Sequence, residues 1–317
     1  MSPEYAYLND FIWGAGITLS LILCPLLPGV IARVKAFFAG RKGPRLLQLY
    51  FDLAKLLRKE SVYSSTSAGL VRLMPLCVLA SLLCALLFLP CALCNSPLAF
   101  GGDVLLFFYL LGSARVAMVL GSLDTGSSFE GMGASREMQF SAFAEMVLLG
   151  AAAFFVILSG SFSLSGMLNS MGSAAWTVSG TSLLLVGLAL FIVMLSECCR
   201  VPFDDPETHL ELTMIHEAMI LDVGGPDLAL MQYAAALKLW MFASFLATAL
   251  LPAGCFAGLS GVPVYFCTVF LIAGAVGCVE SVMARFRFRK VPQMLLAALG
   301  LVLIAMVLLL VFEGGEV

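Results

Sequence analysis

The sequence predicts an all-α polytopic membrane protein with eight transmembrane helices, cytoplasmic amphipathic and loop helices, and both termini outside. Three observations carry that prediction. Of 317 residues, 61% are apolar and only 12% charged, whereas a soluble domain needs roughly a quarter charged residues to cover its surface. The apolar residues fall into runs of about 20, the length that crosses a bilayer as a helix. The basic residues collect in alternate gaps between those runs, the pattern that orients a chain with its positive loops inside. A formal net charge of −3 and the lack of a basic tract argue against a nucleic-acid partner.

The first span covers about residues 10–32. The opening "MSPEYAYLND" is acidic and lacks the positive region of a cleaved signal peptide, so this helix is read as permanent. The gap behind it carries Arg33, Lys35, Arg41, Lys42, Arg45, Lys55, Arg58 and Lys59. Within it, "PRLLQLYFDLAKLLRKE" spaces Arg45, Gln48, Asp52, Lys55 and Lys59 at intervals of three or four, a single polar stripe on an otherwise apolar helix. Such a helix lies in the membrane interface or under a partner; the alternative is a helix that only anchors the loop.

Spans two to five follow at about 70–93, 102–121, 138–160 and 178–196. Residues 239–279 hold no charge, and Pro252, Gly254, Gly258, Gly261 and Pro263 divide this part into span six at 230–252 and span seven at 262–283. Span eight covers 291–312. The gap after span three holds Arg136, that after span five Arg200, and that after span seven Arg285, Arg287, Arg289 and Lys290; the gaps after spans two, four and six hold no Lys or Arg. Residues 1–317 therefore read as a single membrane domain with cytoplasmic loops at about 33–69, 122–137, 197–229 and 284–290. No internal repeat is apparent, which counts against an inverted-repeat transporter.

Three ionisable residues fall inside spans. Arg115 stands six residues before the end of span three, about 9 Å deep, and Glu145 and Lys238 come out at similar depth in spans four and six. Buried charges are costly unless paired, so Arg115 and Glu145 are expected to face each other in a polar path. A purely structural ion pair, or a lysine reaching back to the surface, is the alternative.

The stretch 196–222, "SECCRVPFDDPETHLELTMIHEAMILD", holds seven of the chain's 20 acidic residues, both histidines and one basic residue, Arg200. Glu197 and Arg200 stand three apart, on one helical face. Pro202 ends the span, Asp205 caps a new helix with Pro206 at its first position, and Gly224-Gly225-Pro226 stops that helix after Asp222. On it, Glu207, Glu211 and Asp222 fall within about 60° of one another, with His209 and His216 opposite. Clustered carboxylates repel and titrate as a coupled set, able to pass or store protons. Asp204, Asp205 and Glu217 extend the set; a merely solvated acidic loop is the alternative. The histidines lie about 10 Å apart along the axis, too far to share a metal, and "HEAMI" has Ile220 where a zinc-protease motif needs its second histidine. Ten cysteines are present. Most sit in apolar runs, and Cys91-x-x-Cys94 has no second pair or histidine nearby, so packing is favoured over metal binding.

At these residues the chain resembles a known family. "ECCRVPFDDPETHLEL" is similar to the signature loop of the membrane subunit 1 family of respiratory complex I through Glu197, Arg200, Pro202, Phe203, Asp204, Glu207 and Glu211. "RKGPRLLQLYFDLAKLLRKE" resembles that family's first loop through Gly43, Pro44, Gln48, Asp52, Lys55 and Glu60, and "GASRE" its motif before span four, with Arg136 in place. Met219 stands where the complex I subunits carry a further glutamate, and His209 where the quinone enzymes have one. In this, "THLELTMIHEAMILD" is more similar to the membrane subunit of group 4 membrane-bound nickel–iron hydrogenases, of the formate hydrogenlyase and hydrogenase-4 type.

That resemblance implies a membrane anchor and coupling subunit of a multisubunit oxidoreductase in the cytoplasmic (inner) membrane. A hydrogenase large subunit and a small iron–sulfur subunit would dock on the cytoplasmic side through Arg41, Lys42, Arg45, Gln48, Asp52, Lys55, Arg136 and Glu137. Antiporter-like membrane subunits would stand alongside in the bilayer. Coupling to proton or sodium movement would run through Arg115, Glu145, Glu197, Arg200, Asp204, Asp205, Glu207, Glu211, Glu217, Asp222 and Lys238. No catalytic centre, metal or cofactor is expected in this chain; the nickel–iron centre and iron–sulfur clusters belong to the partners. Two other readings stay open: the equivalent membrane subunit of an NADH:quinone oxidoreductase, contributing to the quinone site, and a stand-alone ion transporter.

Overall fold

The computed structural model describes residues 3–63, 67–91, 93–169, 171–204, 215–252 and 261–313. They form helices α1 (Pro3–Leu23), α2 (Leu26–Phe38), α3 (Gln48–Leu56), α4 (Leu70–Phe88), α5 (Asp103–Asp124) and α6 (Ser128–Ser159). Then come α7 (Leu164–Asn169), α8 (Ser173–Glu197), α9 (Gly225–Leu250), α10 (Gly261–Val282) and α11 (Val291–Glu313). Among the described residues there is no β-strand, only an isolated bridge between Cys91 and Cys94. Backbone inside hydrocarbon must satisfy its own hydrogen bonds, which leaves helices as the solution for these apolar runs. Seven helices are long and apolar enough to cross a membrane, and the bent pair α1–α2 makes eight if it counts as one span. The all-helical membrane class is borne out.

α9 is the centre of the bundle. In its most apolar stretch 78% of the residues are buried within the protein, against 28% in α11. Around it pack α4, α8 and α10, with α3 across its basic end. At that end, the chain leaving α3 crosses the start of α9 so closely that a Cβ on Gly225 would lie 2.7 Å from the Glu60 carbonyl oxygen. Gly225 also has φ +59°, so only glycine suits this crossing.

Several boundaries differ from the sequence expectation. The first span is broken: α1 and α2 meet at a 52° bend at Cys24–Pro25, where proline offers no N–H and its ring displaces the preceding carbonyl. α2 then runs on to Phe38 and takes Arg33 and Lys35 out of the expected loop 33–69. The expected loop 122–137 is mostly the first turns of α6, which starts at Ser128. These turns gain partners from afar: the Glu130 carboxylate accepts the Asp222 N–H at 3.0 Å and the Thr125 hydroxyl.

The helix expected from Asp205 to Asp222 is not continuous over its described part. Residues 215–222 hold only a 3₁₀ turn, Glu217–Ile220, and its flanking amides go to remote carboxylates. Ile215 N–H donates to Asp204 at 2.9 Å and Asp222 N–H to Glu130. Asp205, Glu207, His209 and Glu211 lie outside the described residues, so the expected carboxylate face of Glu207, Glu211 and Asp222 does too. At the opposite end of the bundle, fully buried Asp103 accepts the Leu164 N–H at 2.5 Å and the Ser163 hydroxyl at 3.0 Å, fastening the α6–α7 connection to α5.

Candidate functional site

Four helices each bring a charge to one point inside the bundle. Arg115 comes from α5, Glu137 and Glu145 from α6, Glu197 from the last turn of α8 and Lys238 from α9. The Arg115 guanidinium donates through Nη2 to both Glu197 oxygens, at 2.7 and 2.8 Å, and through Nη1 to Glu145 at 2.5 Å. Its Nε lies 3.8 Å from Glu137. Lys238 Nζ reaches the other side of Glu197 at 2.9 Å. The Arg115 and Glu197 side chains are 5% and 2% exposed, whereas that of Glu145 is 52% exposed. Two cations face three carboxylates, so the cluster carries a net negative charge when fully ionised and is neutral with one proton added.

The expected pairing of Arg115 with Glu145 is present, and Lys238 joins it. Glu137 differs from expectation. Its place in the sequence suggests an outward loop, but α6 starts early and turns it inward, where it is buried against Arg115. Glu197 and Arg200 do not share a face either. α8 ends at Glu197, Cys199 takes φ +49°, and the Arg200 N–H closes on the Leu195 carbonyl at 2.8 Å, a helix-terminating turn. Glu197 therefore points into the bundle, and Arg200 points to a second cluster.

Sequence reasoning misses that second cluster. Glu280 of α10, with a fully buried side chain, lies 3.4 Å from Lys35 and 3.7 Å from Arg200. Nearby in sequence, Arg285 pairs with Asp204 at 2.9 Å. A signal for Glu280 does exist, since it is a lone carboxylate at the end of a long uncharged run.

A cavity of about 580 Å³ opens between α2, α3, α9 and the turns at 198–204 and 216–223. Arg200, Asp204, His216 and Glu217 make its polar end, and Pro28, Leu49, Met231 and Leu239 are among its apolar walls. Burial, with help from the Lys238 and Arg200 charges, lowers the His216 pKa to about 4, so this imidazole is neutral at physiological pH. On its inner side a void of about 30 Å³ touches His216, Lys238, Glu137 and Arg115, room for about one water molecule. Beyond the ion cluster a groove of about 720 Å³ between α5 and α6 is lined by Arg115, Glu145 and Glu197 together with apolar side chains. The polar groups thus run from the cavity through His216, Lys238, Glu197 and Arg115 to Glu145 at the groove.

Of the residues expected to face a partner, Arg41, Lys42, Arg45, Gln48 and Lys55 are exposed at the basic end, and Asp52 is half-buried and accepts from Gln48 at 3.0 Å. Arg136 stacks on Phe288, 4.6 Å from its ring centre. Leu47, Phe51 and Leu57, in and beside α3, are at least half exposed. Among the described residues no three His, Cys, Asp or Glu side chains come together as a metal site.

The family profile described as NADH dehydrogenase matches residues 13–311. Hydrogenase-4 component C of Escherichia coli (strain K12) is 32% identical over 290 residues, covering 89% of this chain and 90% of that one. Formate hydrogenlyase subunit 4 of the same organism is 29% identical over 295 residues, covering 91% and 94%. A membrane subunit of the NADH-quinone oxidoreductase of Rickettsia conorii (strain ATCC VR-613 / Malish 7) is 24% identical over 290 residues, covering 88% and 85%. A chain of the membrane-bound sulfane sulfur reductase, an archaeal respiratory membrane complex, superposes with a TM-score of 0.80 over 95% of this chain and 98% of its own, at 19% identity; that likeness speaks for the fold alone.

Proposed function

The chain belongs to the NADH dehydrogenase family, a multi-pass membrane subunit of complexes of the complex I type, and we propose that it is the anchor and coupling subunit of a membrane-bound nickel–iron hydrogenase. The observation that carries this reading is the continuous polar path from the 580 Å³ cavity to Glu145 at the groove. Charges so deep in an apolar bundle cost several kcal/mol unless paired, and a passive anchor has no need of them. A surplus of carboxylates over cations lets the cluster take up or release a proton with little rearrangement. An event in the cavity that shifts Arg200 or His216 is then felt at Glu145 through Lys238 and Arg115.

In this reading the basic end faces the cytoplasm and both termini face outward, as the loop charges favour. A hydrogenase large subunit and a small iron–sulfur subunit sit on that end, over Arg45, Gln48, Lys55 and the exposed apolar side chains around α3. Antiporter-like membrane subunits line up beside the groove. The nickel–iron and iron–sulfur centres belong to those partners, and this chain supplies protonatable side chains only. Asp205, Glu207 and Glu211 extend the path on the cytoplasmic side.

A second reading, a subunit contributing to a quinone site, is favoured by the cavity itself, which has a polar end and long apolar walls. Purification in mild detergent separates the two. Co-purification of a nickel–iron subunit supports the first, and a flavin-containing NADH-oxidising module with bound quinone supports the second. A pure single-chain particle that moves ions would sink both in favour of a stand-alone transporter.

A further inference from the structure

The loop that leaves α2 doubles back on its own helix. Gly40 turns the chain at φ +63°, and the Arg41 N–H donates to the Ala36 carbonyl at 2.9 Å. Arg33 Nε then donates to the Pro44 carbonyl at 2.8 Å and holds the loop down. Gly43 lies so close to α2 that a Cβ there would stand 2.7 Å from that of Ala36. This fold-back encloses a cavity of about 440 Å³ against the last turn of α10, lined by Lys35, Arg41, Lys42 and Ser281 and by no carboxylate.

Three cations around so small a space repel one another. Lys35 has Glu280 at 3.4 Å, but Arg41 and Lys42 have no carboxylate partner among the described residues. The site therefore favours an anion. Its depth is that of a headgroup, since α10, a membrane-spanning helix, ends at Val282 beside it. One wall is apolar: Phe38 lines the cavity and is 54% exposed, and Val282 is 77% exposed. A soluble anion would leave that wall wet, whereas an amphiphile covers it.

We propose that this cavity binds the headgroup of an anionic phospholipid. Its phosphodiester lies among Lys35, Arg41 and Lys42, and its acyl chains lie along Phe38 and the exposed end of α10. Basic pockets between spanning helices on the inner side of a membrane suit such lipids. The proposal goes beyond the coupling role and stands whether or not the chain couples ion movement.

The test compares the parent, Arg41→Gln/Lys42→Gln, and a control, Arg287→Gln/Arg289→Gln, whose cations lie outside the cavity. Each is purified in mild detergent with whatever subunits accompany it, washed, and analysed by mass spectrometry for bound lipid. Parent and control are expected to retain about one more anionic phospholipid per chain than the Arg41→Gln/Lys42→Gln variant. Zwitterionic lipid should not differ. Adding phosphatidylglycerol back in mixed micelles should show affinity weakened roughly 5-fold per charge removed, about 30-fold in all, at low salt. Equal retention and affinity in all three forms would overturn the proposal. So would stabilisation of the washed protein by inorganic phosphate as strong as that by the lipid, which would make this a soluble-anion site. Loss of hydrophilic subunits from the Arg41→Gln/Lys42→Gln variant with unchanged lipid would mean that a protein covers these cations, and would overturn it equally.

Discussion

Glu197 is the residue on which the buried cluster turns, because both Arg115 and Lys238 close on it. Replacing it with glutamine leaves two cations inside the bundle with a weaker partner. The expected loss of stability is about 3–5 kcal/mol, typical of breaking a buried pair from one side. Glu145→Gln should cost well under that, since its side chain is half exposed and makes a single ion pair. Thermal unfolding of the purified complex in detergent checks the order, and equal midpoints for the two variants would refute it. His216 makes a pH prediction. Its pKa is lowered to about 4 in the fold from roughly 6.5 in the unfolded chain. The unfolded chain therefore binds the proton first, and the His216 contribution is complete above pH 6.5 and is lost as pH falls toward 4. At about pH 5 the loss should be roughly 2 kcal/mol. Comparing unfolding midpoints at neutral and acidic pH, the parent should drop further than His216→Gln; parallel drops would rule this out.

Among the elements, α6 owes its early start to what lies against it. Gly133 sits where a Cβ would meet the Ile215 carbonyl oxygen at 2.9 Å and the Ala218 Cβ at 3.0 Å. Gly133→Leu should push residues 215–222 off the helix at a cost of about 1–3 kcal/mol, the usual range for overpacking. Amide exchange across 215–223 should then speed up, beginning with the Asp222 N–H that Glu130 holds, while α9 stays protected. Unchanged exchange there would show that the close approach is not tight. The "SFEGMGASRE" start of α6 reads as a loop because its two glycines and polar residues have poor helix propensity. Packing against a turn some 90 residues away in the chain overrides that weak preference.

For the molecule as a whole, the proposed coupling is measurable as ions moved per electron in vesicles. Glu145→Gln should lower that ratio while the complex assembles and dye-linked hydrogen oxidation by the attached arm continues, because glutamine cannot take up a proton. Glu207→Gln and Glu211→Gln are expected to act in the same direction. An unchanged ratio in all three would leave an anchor without a coupling role. The partner prediction stands apart from this one: a nickel–iron subunit and an iron–sulfur subunit should co-purify with the chain, and their absence from an intact preparation would refute the hydrogenase assignment.

The membrane class, the number and approximate limits of the spans, and the depth of Arg115, Glu145 and Lys238 were all legible in the sequence. Each depends on one helix and its fit to a bilayer of known thickness, and run length and charge placement report that directly. Which charges meet was legible only in part. Equal depth brought Arg115 to Glu145, but no periodicity along α8 foretells that the turn at Cys199 sends Glu197 inward and Arg200 away toward Glu280. Nor does the spacing in "GASRE" tell that Glu137 sits on a helix facing the core. Partnership in a bundle depends on the rotation of each helix about its axis and on where loops allow backbones to approach. Both are set by side chains from distant parts of the chain, so the tertiary structure alone joined these residues into a path.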